Sequence, residues 1–210
     1  MLNGYRSSNL PTIICLYSVN MVAGSLLPIT IHNNKLYFLF GKENPMEDSA
    51  KGWSDFGGRV DAGETPFTAA LREGGEELTG FLGNNNALRK LVKKNGGTFH
   101  LEHNKYHVHM FYLPYDENLP KYYNQNHQFL WERMDKNTLN DSKLFEKIEI
   151  QWFSVEDMIN KRSQFRNFYQ EIVDLFIDKK IAIEAFAEKK SGFSRQKPRD
   201  SHNKTHKQRK

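Results

Sequence analysis

Residues 58–77, which read GRVDAGETPFTAALREGGEE, are the most informative part of the chain. If its second half is helical, each residue turns about 100°, and Glu73, Glu76 and Glu77 share one face of the helix. Like charges at these spacings repel each other, and each of the two glycines between them costs about 1 kcal/mol relative to alanine. A segment that breaks several local rules at once usually serves a functional site. A hard divalent cation such as Mg²⁺, which prefers carboxylate oxygens, would remove the repulsion.

The spacing of these residues resembles the signature of the Nudix hydrolase superfamily. In that signature a glycine, five residues, a glutamate and seven further residues precede Arg-Glu, two residues and Glu-Glu. Every one of these positions is matched between Gly58 and Glu77. A solvated acidic helix face is the alternative, but it explains neither the glycines before the helix nor Arg72. The match departs at its end: either Thr79 replaces the family's glycine, or the helix is one residue longer before Gly80 ends it.

The resemblance implies an enzyme that uses Mg²⁺ or Mn²⁺ to cleave a nucleoside diphosphate linked to another moiety, with water attacking the diphosphate. The groups implied to bind the metal are three carboxylates and one backbone carbonyl, from Glu73, Glu76, Glu77 and Gly58. Arg72 would orient the carboxylates through charge-assisted hydrogen bonds. Gly57 would shape the backbone near the metal, and Glu64 would brace the loop against the helix.

The general base is open between two carboxylates, because the superfamily varies in which carboxylate activates water. Glu73, on the helix, is one candidate. Glu146, which precedes a predicted strand, is the preferred one. Together with Glu149 and Trp152 it forms a spacing that resembles a pattern near the end of this fold. An ordinary surface carboxylate is the alternative interpretation of Glu146.

Local patterns predict strands interspersed with helices, and therefore an α/β domain. Strands are predicted at residues 12–19, 29–40 (two strands turning at Asn33-Asn34), 106–113 and 148–153. Helices are predicted at residues 65–78, 86–94, from 154 onward and at 166–187, with a polar loop at 41–54 and an insertion at about 119–142. The resemblance implies the specific arrangement, a three-layer α/β/α sandwich with a mixed sheet between helices, in which the signature forms a loop-helix-loop.

Charge divides the chain into two parts. Residues 189–210 carry eight net positive charges, whereas the remainder carries a net charge of −3. We therefore predict one domain over residues 1–188 and a disordered basic tail over residues 189–210, which lacks the apolar periodicity needed to offset ordering entropy. Such a tail binds polyanions such as RNA through counterion release; a role in solubility alone is the alternative. The candidate contacts are Lys189, Lys190, Arg195, Lys197 and Arg199.

Composition also limits the cellular compartments in which we expect the protein. The one cysteine, Cys15, excludes an intramolecular disulfide framework and fits a reducing environment. The sequence has neither the pattern of a secretory signal peptide nor an apolar run of about 18 residues that could span a bilayer. We expect an intracellular protein, cytoplasmic or nuclear, that is not secreted and has no membrane partner.

Two further groups of residues have competing interpretations. Histidines at positions 100, 103, 107 and 109 raise the question of zinc, but no paired cysteine or helix-spaced ligand motif accompanies them. An ordinary strand with a polar face is favoured. Trp53 and Phe56, just before the glycines, are suited to stacking on a nucleobase, although core packing or loop anchoring is favoured.

Two functions from different classes follow from these observations. The leading hypothesis is a metal-dependent pyrophosphohydrolase, with capped RNA among its candidate substrates because of the basic tail. Nucleoside triphosphates, dinucleoside polyphosphates, nucleotide sugars and diphosphoinositol polyphosphates are equally open. The alternative is a Nudix-fold module that binds a nucleotide or RNA without hydrolysing it. Specificity in the superfamily comes from segments outside the signature, here residues 42–54 and 119–142.

Overall fold

A computed structural model describes residues 21–45, 51–141 and 146–192, and these form strands and helices in alternation. The strands are β1 (Ala23–His32), β2 (Lys35–Glu43), β3 (Trp53–Ser54), β4 (Phe56–Arg59), β5 (Thr98–His103), β6 (Tyr106–Tyr112) and β7 (Lys147–Ser154). The helices are α1 (Pro66–Glu77), α2 (Asn85–Lys94), α3 (Asn118–Trp131), α4 (Lys136–Asp141), α5 (Val155–Asn160), α6 (Gln170–Asp178) and α7 (Lys180–Ser191). Short 3₁₀ turns cover Arg162–Gln164 and Asn167–Tyr169.

Strand β1 lies in the middle of a mixed sheet. It pairs in parallel with β6 along one edge. Along the other edge its first half pairs antiparallel with β4 and its second half pairs antiparallel with β2. Pro28, which has no N–H to donate, lies between these two halves. Strand β2 also pairs with β7 and β3, and β5 extends the sheet beyond β6.

Two apolar cores lie on opposite faces of this sheet, because successive strand residues point to opposite faces. On one face Leu26 and Phe56 pack with residues of α1, α2 and α3. On the other face Leu27 and Phe38 pack with residues of α5, α6 and α7. This arrangement confirms the predicted three-layer α/β/α fold with a mixed sheet. No helix among the described residues has the length and apolar character needed to cross a membrane.

The predicted hairpin is confirmed at its turn, where Asn33 and Asn34 adopt φ values of 49° and 59°. The predicted loop over residues 41–54 is wrong at both ends, since β2 continues through Glu43 and β3 occupies Trp53–Ser54. The predicted strand over residues 12–19 lies outside the described residues. Strand β5 was not predicted, because its apolar residues alternate with histidines and a glutamate over only six positions.

The segment predicted as an insertion is helical: it contains α3 and α4, and α3 packs against β7. The single long helix predicted over residues 166–187 is wrong. It is two helices, α6 and α7, separated at Lys179 (φ −88°, ψ 6°), and both bury apolar residues in the same core. Helix α7 continues through Ser191, so Lys189 and Lys190 are helical rather than part of a disordered tail. Arg195, Lys197 and Arg199 lie outside the described residues.

Candidate active site

The start of the signature helix follows from local capping. Thr65 accepts a hydrogen bond from the backbone N–H of Thr68 (3.1 Å), and Pro66 occupies the first helical position, where a missing N–H costs nothing. At the other end, both Thr79 (φ 49°) and Gly80 (φ 73°) adopt the left-handed conformation. The helix therefore stops at Glu77, and Thr79 takes a positive φ that glycine adopts more readily.

Arg72 holds the loop and the helix together. Its guanidinium donates to both carboxylate oxygens of Glu64 at 3.1 and 3.0 Å, and to the carbonyl oxygen of Arg59 at 3.0 Å. It also donates to Oε1 of Glu73 at 2.7 Å. The Glu64 pairing lowers the pKa of that carboxyl. One planar donor therefore fixes the loop carboxylate and the first carboxylate of the helix relative to each other.

The carboxylate of Glu73 lies directly over Gly58. A Cβ atom at Gly58 would come within 2.5 Å of that carboxylate, so only glycine permits this approach. The Glu73 side chain is 15% exposed, and burial raises its pKa even though Arg72 acts in the opposite direction. Gly57 is also in a crowded position, where a Cβ would collide with Ser25 of β1. The two glycines therefore permit close packing of β4 against α1 and β1.

The two remaining glutamates of the cluster have very different surroundings. Glu76 is 60% exposed, and its Oε2 atom lies 3.6 Å from Nη1 of Arg72. Glu77 is 5% exposed and points into the protein, where its Oε1 atom is 3.2 Å from Nζ of Lys147. Its Oε2 atom makes no hydrogen bond to any residue that the structure describes.

Lys147, at the first position of β7, is fully buried between carboxylates of α1 and β2. Its ammonium contacts Glu77 and Glu43 and donates to Oγ of Ser54 at 2.9 Å. Glu43 in turn accepts from Ser54 at 3.0 Å and from Arg166 at 2.7 Å. Burial lowers the pKa of Lys147, but the charges of Glu77 and Glu43 outweigh burial and raise it above its ordinary value.

This buried charge group was not predicted. Lys147 lies in a charged stretch that reads as solvent-exposed, and Glu43 lies within the segment predicted as a polar loop. Lys147 is far from both partners in the sequence, with 104 positions between it and Glu43 and 70 between it and Glu77. No local pattern in a single sequence predicts such a pairing.

Glu146 lies next to this group. Its carbonyl oxygen accepts a hydrogen bond from the backbone N–H of Asn44 at 2.8 Å. Burial is the main cause that raises the pKa of Glu77, and the charges of Glu43 and Glu146 add to it while Lys147 opposes it. The fold therefore brings Glu146 into electrostatic range of the signature helix.

The hydroxyl of Tyr123 connects α3 to the same region. It lies 2.8 Å from the carbonyl oxygen of Glu77 and 2.9 Å from that of Lys147. A phenol has one proton to donate, so the two carbonyl oxygens share it. Tyr123 is itself buried. The inserted helix is therefore attached to the last residue of α1 and the first residue of β7.

The structure shows what surrounds the residues with two interpretations, namely Trp53, Phe56 and the histidines of β5 and β6. Trp53 and Phe56 are buried in the two cores, so they pack rather than stack on a ligand. His100, His107 and His109 stack on one face of the β5–β6 pair. Burial lowers the pKa of His109 to about 4. Across the part of the chain that the structure describes, no three His, Cys, Asp or Glu side chains converge as metal ligands do.

The glutamate cluster is consistent with a divalent cation in three respects. Its donors are carboxylate oxygens, the type that Mg²⁺ and Mn²⁺ prefer. Gly58 leaves room for the Glu73 carboxylate beside the loop backbone. Glu77 has a buried oxygen that makes no hydrogen bond within the described residues. Glu73 faces Arg72 while Glu77 faces Lys147, so the assignment of all three glutamates as metal ligands stays a prediction.

Comparison with known proteins identifies the family to which the chain belongs. A model of the NUDIX domain matches residues 27–176. An uncharacterised protein of Acanthamoeba polyphaga mimivirus is 39% identical over 62 residues, which are 29% of this chain and 20% of that protein. The matched part therefore spans about a fifth of the length of that viral relative.

Solved structures similar to this chain include two enzymes. An Ap4A hydrolase from C. elegans is 17% identical with a TM-score of 0.43, over 78% of this chain and 98% of that chain. A bifunctional NMN adenylyltransferase/ADP ribose pyrophosphatase from Francisella tularensis is 15% identical with a TM-score of 0.47, over 76% of this chain and 41% of that chain. With the NUDIX match covering well over half of the chain and residues 58–77 in the family's spacing, the chain belongs to the Nudix hydrolase superfamily.

Proposed function

We propose that this protein is a Mg²⁺- or Mn²⁺-dependent pyrophosphohydrolase that cleaves a nucleoside diphosphate linked to another moiety. The observation that carries the proposal is the position of Glu73. Its carboxylate is held against Gly58 by Arg72, and Arg72 also grips Glu64 of the preceding loop. Loop and helix are thereby held as one rigid element, in which the carboxylates of Glu64 and Glu73 meet at Arg72.

The residues that would hold the cation are Glu73, Glu76 and Glu77, together with the carbonyl of Gly58. When bound there, the cation would polarise the phosphoryl oxygens of the substrate and offset their negative charge. Arg72 keeps Glu73 oriented, and burial of Glu73 raises its pKa, which moves this carboxyl toward the range in which a general base works near neutral pH. Glu146, in electrostatic range of Glu77, is the second candidate base.

A hydrolysis panel tests the proposal. Purified protein with Mg²⁺ or Mn²⁺ should release product from at least one class among nucleoside triphosphates, dinucleoside polyphosphates, nucleotide sugars, diphosphoinositol polyphosphates and capped RNA. Glu76→Gln should abolish turnover, while Glu156→Gln, which changes an exposed glutamate on α5, should not. Saturable nucleotide binding by wild type and Glu76→Gln, with turnover by neither, would make the protein a binding module instead.

Thermal melting provides a test that does not depend on the substrate. A cation bound by the folded state alone stabilises it by mass action, by about 2.7 kcal/mol at a concentration one hundred times its Kd. Millimolar Mg²⁺ or Mn²⁺ should therefore raise the Tm of the wild type and of Glu156→Gln, but raise that of Glu76→Gln much less. An equal shift in all three proteins would reject the glutamate cluster as the metal site.

A further inference from the structure

A cavity of about 420 Å³ opens beside the end of β2 and the start of β7. Its lining residues belong to segments 42–54 and 119–142, in which we expect specificity to reside, and to the start of β7. One wall follows β2, and the other is a face of the inserted helix α3. The lining side chains include Asn44, Asn124, His127, Gln128, Trp131 and Glu149. A volume of this size lies within the range of about 300–1,000 Å³ that is typical of small-molecule sites.

The cavity contains flat aromatic surface. The rings of His127 and Trp131 are nearly parallel, at an interplanar angle of 18° with their centroids 5.6 Å apart. Burial lowers the pKa of His127, which favours the neutral form of its ring. The other two tryptophans, Trp53 and Trp152, are buried in the cores, whereas Trp131 is only partly buried. Trp131 is therefore the tryptophan that a ligand can reach.

The polar groups of the cavity suit the edge of a nucleobase better than a phosphate. Gln128 offers an amide, and Glu149 offers a carboxylate that accepts hydrogen bonds from exocyclic amino groups. One oxygen of Glu149 pairs with Lys42 at 3.6 Å, which leaves the other outside that pair. Among the described residues that line the cavity, none is a lysine or an arginine. A planar ring with hydrogen-bonding edges fits this lining, and an anion does not.

The cavity is built on the same elements as the candidate active site. Tyr123, whose hydroxyl binds the carbonyl oxygens of Glu77 and Lys147, precedes Asn124 in α3. The side-chain amide of Asn124 pairs with the backbone N–H and carbonyl of Ile150 at 2.8 and 3.1 Å. On the opposite wall, the backbone N–H of Asn44 donates to the carbonyl oxygen of Glu146. The cavity therefore shares α3, the end of β2 and the start of β7 with the candidate active site.

We propose that this cavity binds the nucleobase of the substrate, which stacks on Trp131 and presents its edge to Gln128 and Glu149. The proposal rests on the proposed function, since it places the base of the nucleotide whose diphosphate the glutamate cluster would engage. It makes Trp131 a residue that determines substrate specificity, because stacking on an aromatic ring selects for a base over a sugar phosphate.

Calorimetric titration without added metal tests the proposal. The probes are AMP, GMP, CMP and UMP, which have no phosphoanhydride bond, and ribose 5-phosphate, which has no base. At least one nucleotide should bind, and ribose 5-phosphate should bind at least tenfold more weakly. Trp131→Ala should weaken nucleotide binding by roughly 5- to 150-fold, the range of base stacking on an aromatic ring. Trp131→Phe, which keeps a stacking ring, should retain most of the affinity.

A second variant and a second measurement keep the test valid even if Trp131→Ala does not fold. Gln128 is exposed, so Gln128→Ala should fold normally and weaken binding of the preferred base or change that preference. Nucleotide binding should also quench tryptophan fluorescence in the wild type, and the quenching should disappear in Trp131→Phe. Equal affinity of wild type, Trp131→Ala and Gln128→Ala, or equal binding of ribose 5-phosphate and nucleotides, would overturn the proposal.

The outcome is independent of hydrolysis. Turnover of a diphosphate substrate with an unchanged KM in Trp131→Ala would keep the proposed function and reject the base site. Binding of a monophosphate through Trp131 by a protein without turnover on any substrate would keep the base site and reject the hydrolase.

Discussion

Replacing Lys147 with methionine should strongly destabilise the protein. Lys147 is fully buried, and methionine has similar length without the charge. After the change, Glu43 keeps its contacts with Ser54 and Arg166. Glu77 loses its cation, and both of its carboxylate oxygens are then buried without a partner among the residues that the structure describes. Removing one partner of a buried ion pair costs about 3–5 kcal/mol, because the remaining charge is left uncompensated.

Urea denaturation measures this cost as a loss of unfolding free energy, and thermal melting measures it as a fall in Tm. For a protein of about 150–250 residues, each kcal/mol shifts the Tm by roughly 2–4 °C, so the expected loss corresponds to about 6–20 °C. The matched control is Lys42→Met, because Lys42 likewise pairs with a glutamate, Glu149 of β7, but is 44% exposed. An exposed pair contributes about 0–1 kcal/mol, so this control should change stability little.

A second substitution examines the cause of the loss. Adding Glu77→Gln to Lys147→Met removes the uncompensated charge and should recover at least about 1 kcal/mol of the loss, since a neutral buried amide costs less than a buried carboxylate. If Lys147→Met destabilises the protein by no more than Lys42→Met does, the reasoning about the buried charge group is refuted.

Three further predictions follow. Gly58→Val should lower turnover at least tenfold with a nearly native circular dichroism spectrum, because its side chain would displace the Glu73 carboxylate; normal activity would refute that role. Burial lowers the pKa of His109 from 6.5 to about 4, so between these pH values the unfolded state binds a proton that the folded state does not. The folded state is therefore most stable above pH 6.5 and loses stability as the pH falls toward 4. The stability difference between wild type and His109→Gln should shrink over that interval, and a constant difference would contradict it. Truncation after Gly192, which keeps α7, should preserve hydrolysis of small nucleotides but weaken RNA binding at low salt; unchanged RNA affinity would leave the tail a solubility element.

The parts of the fold that the sequence predicts correctly are those that local chemistry decides. Thr65 and Pro66 begin α1, and Asn33-Asn34 turn the first hairpin, because capping and positive φ are properties of a few adjacent residues. The spacing from Gly58 to Glu77 identifies the family for the same reason.

The parts that could not be predicted depend on distant contacts. The break between α6 and α7 at Lys179 contains no glycine or proline that would predict it from the sequence. Both helices pack in the same core against the sheet, which accounts for the break. The partner of Glu77 is a lysine on a strand far along the chain, and a lysine between two nearby glutamates reads as a surface residue. The cavity proposed to bind the base likewise combines residues from three separate parts of the chain, at the end of β2, in α3 and in β7.

The shared hydrogen bond of Tyr123 has a consequence for how the protein opens. Since one hydroxyl links α3 to the last residue of α1 and the first of β7, α3 cannot unfold without releasing both. We expect segments joined in this way to open together more often than one by one. The inserted helix is therefore part of the same unit as the carboxylate of Glu77. In hydrogen exchange, the amides of α3 and of the last turn of α1 should be protected to a similar degree, and Tyr123→Phe should lower the protection of both together.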